Sequence, residues 1–409
     1  ASLLYGLSPY LLLDVFVRGD IGEMLAFVFI PLTLASISAI NNHGRKRILL
    51  GAISATLLIL SHNGMSLLFV PIFVAYGFLT VPKKKFSSFV LMLVLAFGLS
   101  AFFWFPALAD QKFTNSQLFL SMYREHFIQL TAFIFKPWGF GTNINMPGGL
   151  SPQIGILRFV LIFFATAFAF RSKTKDKIFF FWIIIFLMSI FFTTSNSQFF
   201  WERLKILQKL QFPWRLMALS TFSGAVLIAQ ILHEIPNKRI SILITIFALL
   251  TSISMARIQK PINISDADAF HHEGTTALHA EATTIWTAGD PASTAPEPIQ
   301  IIAGNGSITK YERKNSWHTF ISESNQKINI LDNTLYFPGW KAYIDGQETS
   351  IEFQDTNHRG LITFSVPAGN HTIRVSFEET GQRQLADTIS LLSLGFAIVL
   401  LRRPRITNT

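Results

Sequence analysis

The sequence predicts a polytopic α-helical membrane protein with a β-sandwich-like domain placed before its last helix. Three observations predict it. Half of the 409 residues are hydrophobic and only 14% are charged, with 41 Phe among them, which is a membrane composition. Apolar runs of about 17 to 23 residues recur between short basic clusters, matching the ~20 residues that cross a hydrocarbon core about 30 Å thick. One long segment, residues 260–387, is acidic, with 16 Asp/Glu against 9 Lys/Arg, and its second half alternates apolar and polar residues as strands do.

Taken in order, the apolar runs are residues 21–40, 48–60, 65–81, 86–108, 156–170, 178–194, 217–235, 241–258 and 388–401, so about nine transmembrane helices are expected. Basic clusters follow at Arg45-Lys46-Arg47, Lys83-Lys84-Lys85, residues 171–177, Lys238-Arg239, and Arg402-Arg403 with Arg405. Threading the nine spans alternately puts all five clusters on one side, the cytoplasm by the positive-inside rule. The net charge of +10 is therefore a topology signal and no nucleic-acid stripe. The expected organisation is a multi-span membrane domain over residues 1–258, an extracytoplasmic, mainly β domain over 259–387, and a final helix with a basic cytoplasmic tail over 388–409.

There is no cysteine, which excludes disulfides and thiolate metal sites and fits the cytoplasmic membrane of a bacterium or archaeon. The chain begins at Ala1 without an initiator Met or a cleavable signal pattern, so it reads as a fragment whose first spans are missing. Strand patterning starts at Ile299. Ile362, Phe364 and Val366 mark an inward face, and Asp345-Gly346 and Ala368-Gly369-Asn370 mark turns. No internal repeat, phosphate-cradling Gly-rich loop, nucleophile elbow or metalloprotease motif is present. His271, His272 and His279 with Glu273 match no metal-ligand spacing, so no metal is expected.

Four stretches carry candidate chemistry. In "VRGDIGEMLAF", Arg18, Asp20 and Glu23 sit where the first span begins. Ionisable groups there either line a wet cavity or serve the helix end, Asp20 and Glu23 at its positive N-terminus and Arg18 among headgroups. In "LILSHNGMSLLF", two spans share residues 48–81, so His62 and Asn63 occupy either a tight turn or a cavity wall. In "FFWERLKILQKLQFPWRLMAL", Leu204, Leu207 and Leu210 fall at helical spacing. Arg203, Lys205, Lys209 and Arg215 there suit headgroups or a lipid-linked phosphate. The loop "MYREHFIQLTAFIFKPWGFGTNINMPGG" offers Arg124, and Trp138 as interface anchor or sugar platform.

"SPYLLLDVFVRGDIGEMLAFVFIPL", "LILSHNGMSLLFVPI", "FKPWGFG" and "LQKLQFPWRLMAL" together resemble the polytopic prokaryotic membrane proteins of the 6-pyruvoyl-tetrahydropterin synthase-related domain family. "YFPGWKAYIDGQETSIEF" and "FSVPAGNHTIRVSFEETGQRQLADTISLLSL" resemble the exported β domain and last span of bacterial membrane proteins implicated in envelope glycosylation. Both families look like members of the GT-C glycosyltransferase superfold. The resemblance covers nearly the whole chain apart from residues 261–297. It implies an enzyme that transfers a sugar from a polyprenyl-phosphate donor to an envelope glycan or glycoconjugate at the outer face; the pterin name implies no activity, since no zinc site of that kind is present.

On that resemblance Arg18 and Arg215 hold the donor phosphate. Asp20, Glu23 and His62 become acid/base or acceptor-orienting groups, and Asn63, Arg124, Trp138 and Arg203 join the substrate-binding set. The expected partners are membrane lipid, the lipid-linked sugar and the glycan acceptor. The superfold's signature carboxylate, in its first outer loop, falls before Ala1. The competing expectation is a non-catalytic scaffold or lipid-handling protein of the same fold.

Overall fold

The computed structural model describes residues 1–171, 177–260, 263, 265–270, 283–287, 289 and 295–402. His271, His272, Glu273 and His279 lie outside the described residues. The chain divides into two compact units. One comprises Ala1–Ser100, Phe119–Asn263 and Ser390–Thr409, the other Ala101–Leu118 and Ile264–Ile389.

The first unit is helical. Its core is aromatic-rich, with Tyr10, Phe27, Phe69, Phe73, Phe133 and Trp201 sealed from solvent. Among the described residues, Ile21–Ser38, Asn63–Thr80, Pro213–Glu234 and Gly381–Arg402 are long and apolar enough to cross a membrane, and two broken helix pairs raise the number to six.

Nine spans are thus not what the helices provide, and the differences have local causes. Ile156–Arg171 and Lys238–Ile253 have 16 residues each, about 24 Å at 1.5 Å per residue, short of the ~30 Å core. Ile40–Ser61 spends its opening turns on Arg45, Lys46 and Arg47 and kinks at Gly44, whose φ is 50°. The run expected over 86–108 breaks at Ser100, whose hydroxyl donates back to the Ala96 carbonyl at 2.8 Å, a bond that competes with the helical ladder. Lys177–Thr193 matches the run expected over 178–194, and a segment turned by 90° follows it, with Thr194 in extended conformation between them. The stripe expected over Leu204, Leu207 and Leu210 is also split. The helix Gln198–Arg203 ends before Leu204, which faces out at 45% exposure, while Leu210 is buried.

Among the described residues the second unit is a sandwich of eight antiparallel strands: β1 (Ile299–Ala303), β2 (Ser307–Lys314), β3 (Trp317–Ser324), β4 (Ile328–Leu335), β5 (Trp340–Ile344), β6 (Gln347–Thr349), β7 (Leu361–Val366) and β8 (Gly369–Phe377). The sheets have the orders β1-β4-β7 and β2-β3-β8-β5-β6. Phe320, Ile330, Ala342, Ile362, Phe364, Val366, Ile373 and Val375 form the core between them, so the inward face expected for β7 is the one observed. Asp345 and Gly346 both take positive φ, 48° and 82°, as a two-residue hairpin between β5 and β6 requires. The turn at Ala368-Gly369-Asn370 instead carries the chain from one sheet to the other.

Residues 101–118, expected in the membrane domain, belong to this second unit. Phe113 stacks on Trp286 at 5.6 Å, Asn115 Nδ2 donates to Thr283 Oγ1 and the Thr284 carbonyl at 2.8 and 2.9 Å, and Asp110 pairs with Arg383 at 2.9 Å.

Candidate functional site

The site grows from a break in helical register. After the helix Pro9–Leu13, residues Asp14–Arg18 form a π turn, which Gly19 closes in the left-handed region at φ 65°. Asp20 then caps the span Ile21–Ser38, its Oδ1 accepting from the Glu23 backbone N–H at 2.9 Å. The wide turn and reversal fold Arg18 back over its own surroundings. Its Nη1 donates to Asp14 Oδ1 and, at 2.8 Å, to Glu23 Oε2, while Nη2 donates to Asp20 Oδ2 at 2.9 Å. Tyr10 donates its hydroxyl to the other Glu23 oxygen at 2.6 Å, and Trp214 lies under the guanidinium at 4.6 Å.

Two more segments of the same unit reach the cluster. Gly22 brings the chain against the end of Ile40–Ser61, where a Cβ would stand 2.6 Å from the Ser61 carbonyl oxygen; only glycine fits there. His62, the one extended residue between two helices, caps Asn63–Thr80 by accepting the Met65 N–H on Nδ1 at 3.1 Å. That bond occupies the Nδ1 lone pair, so neutral His62 carries its proton on Nε2, 3.7 Å from Asp20 Oδ2. Arg215 arrives from the start of Pro213–Glu234, with Nη1 bonded to the Leu210 carbonyl at 2.8 Å and Gln211 Oε1 at 3.1 Å. Its buried Nε makes no hydrogen bond and lies 3.8 Å from Glu23 Oε2.

Electrostatics separates the carboxylates. Glu23 and Asp14 are closed to solvent, whereas Asp20 is 23% exposed. Burial, then the charge of Glu23, pushes the Asp14 carboxyl well above its usual range. Burial would also raise Asp20, but the Glu23 backbone N–H and, next, the charge of Arg18 hold it below the usual range. Burial and Arg215 push His62 down, so it is neutral at neutral pH. Burial alone would lower Arg18, but Asp14 and Glu23 override it and raise its affinity for the proton. Asp20 is thus the ionised carboxylate that solvent can reach.

Oxygens of Asp20 and Glu23 and a His62 nitrogen lie within 4.8 Å of one another, close enough to ligate a cation. In this arrangement Arg18 already bonds both carboxylates, and the His62 nitrogen facing them bears a proton instead of a lone pair. A metal ion would have to displace the guanidinium.

Of the residues expected from sequence, Arg18, Asp20, Glu23, His62 and Arg215 come together. Asn63 is exposed in the first turn of Asn63–Thr80. Arg124 is exposed and donates to its neighbour Tyr123 at 3.4 Å. Arg203 is exposed and stacks 3.6 Å over Phe199. Trp138 is half-buried against the helical core with a buried, unbonded indole N–H. Sequence reasoning missed Asp14 and Tyr10. Asp14 carried a signal, a lone carboxylate inside "LLLDVFV", four residues before Arg18; Tyr10 carried none. No family model, curated protein or solved structure matches this chain.

Proposed function

We propose that the chain is an integral membrane glycosyltransferase of the GT-C kind, or a close relative. It would move a sugar from a polyprenyl-phosphate donor to an envelope glycan at the outer face of a bacterial or archaeal cytoplasmic membrane. The observation that carries the reading is the pairing, at the mouth of a span, of one solvent-reachable carboxylate with two unoccupied N–H donors, Arg215 Nε and His62 Nε2. In the reaction Asp20 takes the proton of the acceptor hydroxyl as its oxygen bonds the sugar's anomeric carbon. The bond from that carbon to the phosphate oxygen breaks, and Arg215 and His62 donate hydrogen bonds to the departing polyprenyl phosphate. Glu23, sealed and held by Tyr10 and Arg18, orients Arg18 and Arg215.

Sidedness follows from charge. Arg45 to Arg47 sit at the end of Ile40–Ser61 away from His62, Lys83 to Lys85 follow the far end of Asn63–Thr80, and Arg402 ends the last helix. The positive-inside rule assigns those ends to the cytoplasm. The cluster and the β unit, which joins the last helix at its other end, are then extracytoplasmic.

One observation favours the competing reading of a non-catalytic scaffold: Arg18 ties three carboxylates together, as a structural lock would. The test is sugar transfer by the full-length protein in liposomes supplied with a panel of polyprenyl-phosphate sugars. Transfer that disappears in Asp20→Asn and Arg215→Ala supports the enzyme. Transfer that survives Asp20→Asn, Glu23→Gln and Arg215→Ala alike removes the site assignment, and no transfer by the unaltered protein with any donor favours the scaffold.

A further inference from the structure

We propose that the helical unit contains a second site, a buried pocket that binds a halide anion with Arg158 as its cationic wall. This site is separate from the cluster above and does not depend on the transferase reading. The pocket lies among Leu4, Ser8, Ile154, Arg158, Ile162 and Thr221, with a volume of about 10 Å³. Arg158 and Ser8 are each only 4% exposed. Arg158 donates through Nη1 to Ser252 Oγ at 2.7 Å and through Nη2 to the Leu7 carbonyl at 2.9 Å. Its Nε has no partner, and neither has Ser8 Oγ. Two buried polar atoms are thus unpaired on the wall of one cavity. Pro9, next to Ser8 on the same wall, has no N–H to offer.

Charge decides between occupants. Arg158 pairs with no carboxylate among the described residues, and a guanidinium does not give up its proton. Its two acceptors stand at helix ends: Leu7 closes Ser2–Gly6 and Ser252 lies in the last turn of Lys238–Ile253. Their carbonyl ends carry partial negative charge, which offsets part of the buried cation and leaves the remainder. A water molecule would satisfy Arg158 Nε and Ser8 Oγ but would bring no charge. Phosphate, sulfate and carboxylates need more room than a cavity sized for about one water molecule. A single halide, accepting from Nε–H and from the Ser8 hydroxyl, brings the charge in the smallest volume of these anions, and chloride is the abundant one.

The experiment is crystallographic. Crystals of the full-length protein grown with bromide in place of chloride are expected to show an anomalous peak beside Arg158 Nε and Ser8 Oγ. In parallel, the unaltered protein in detergent is expected to melt a few degrees lower when chloride is replaced by gluconate at constant ionic strength, because the ligand binds the folded state alone. Bromide should restore the Tm, and Arg158→Gln should abolish the response. Cavity density without an anomalous signal means water only and overturns the proposal whatever the melting curves show, so the result does not depend on Arg158→Gln folding.

Discussion

Each unit of the molecule buries a histidine or arginine against aspartate, and the two differ in what is left over. In the β unit, His318 Nδ1 meets Asp332 Oδ2 at 2.7 Å, Thr334 donates to the other carboxylate oxygen at 2.7 Å, and both partners are almost wholly sealed, at 2% and 1% exposure. Tyr311 and Trp340 close over the ring. The pair joins a strand of one sheet to a strand of the other, β3 to β4, and has no opening for a ligand. In the helical unit the cluster around Arg18 remains open at Asp20 and leaves Arg215 Nε unbonded. A closed pair specifies how two sheets meet. An open cluster with an unbonded donor leaves polar groups that the chain itself does not satisfy, which is what the proposed function builds on.

Exchanging the substitutions between the two regions breaks or sharpens that contrast. The largest effect is expected from Asp20→Asn, which should lower sugar transfer by about 10²- to 10⁴-fold, the usual worth of a general base, while leaving the melting temperature nearly unchanged. Asp332→Ala should do the reverse. It leaves His318 buried without its hydrogen-bond partner, at a cost of about 1–3 kcal/mol, visible in denaturant unfolding of the β unit, with transfer retained in whatever fraction stays folded. If Asp20→Asn destabilises as strongly as Asp332→Ala and leaves transfer intact, the cluster around Arg18 is a lock as well. Tyr10→Phe is intermediate, since it removes one hydrogen bond to the buried Glu23 carboxylate, worth about 1.5–3 kcal/mol, and a drop in Tm larger than the drop in transfer would mark Glu23 as an orienting group.

The smallest effect concerns an open ion pair in the β unit, His371 with Asp345 at 2.7 Å. The bond to Asp345 raises His371, and the bond to His371, with the Thr372 N–H, lowers Asp345. The raised histidine stabilises the fold below its unfolded value near pH 6.5, and that contribution is lost as pH rises through the folded value. The lowered aspartate stabilises above its unfolded value near pH 4 and loses that contribution as pH falls through the folded one. The Tm difference between the unaltered protein and His371→Ala should therefore be greatest between about pH 4 and 6.5 and fade by pH 9. A difference that grows toward high pH contradicts the pairing.

How much of this was legible in the sequence differs by length scale. The β7 face at Ile362, Phe364 and Val366 and the Asp345-Gly346 hairpin were readable because strand alternation and turn chemistry are local. Arg18, Asp20 and Glu23 were readable as charges out of place in an apolar setting. Their union with His62 and Arg215 was expected from the family resemblance alone, because nothing local encodes contacts across so many residues. Four to six of the nine expected spans are shown among the described residues: hydropathy alone did not register the break at Ser100 inside the run expected over 86–108, nor that the helices Ile156–Arg171 and Lys238–Ile253 stay short. Residues 101–118 group with the second unit for a related reason: their apolar run continues the preceding helix, while Phe113 and Asn115 answer to Trp286 and Thr283 far along the chain.

The π turn Asp14–Arg18 also makes the site sensitive to chain length. A π turn is an α-helix holding one residue too many, so losing a single codon between Asp14 and Arg18 would restore ordinary register. Each residue in a helix turns the next by about 100°, so the Arg18 side chain would swing off Glu23 and Asp20 although every residue of the cluster was still encoded. In lineages where that codon is lost, the motif would survive inspection as letters while the cluster it builds had come apart. The spacing from Asp14 to Arg18 is therefore a better marker of the assembled cluster than the identities alone.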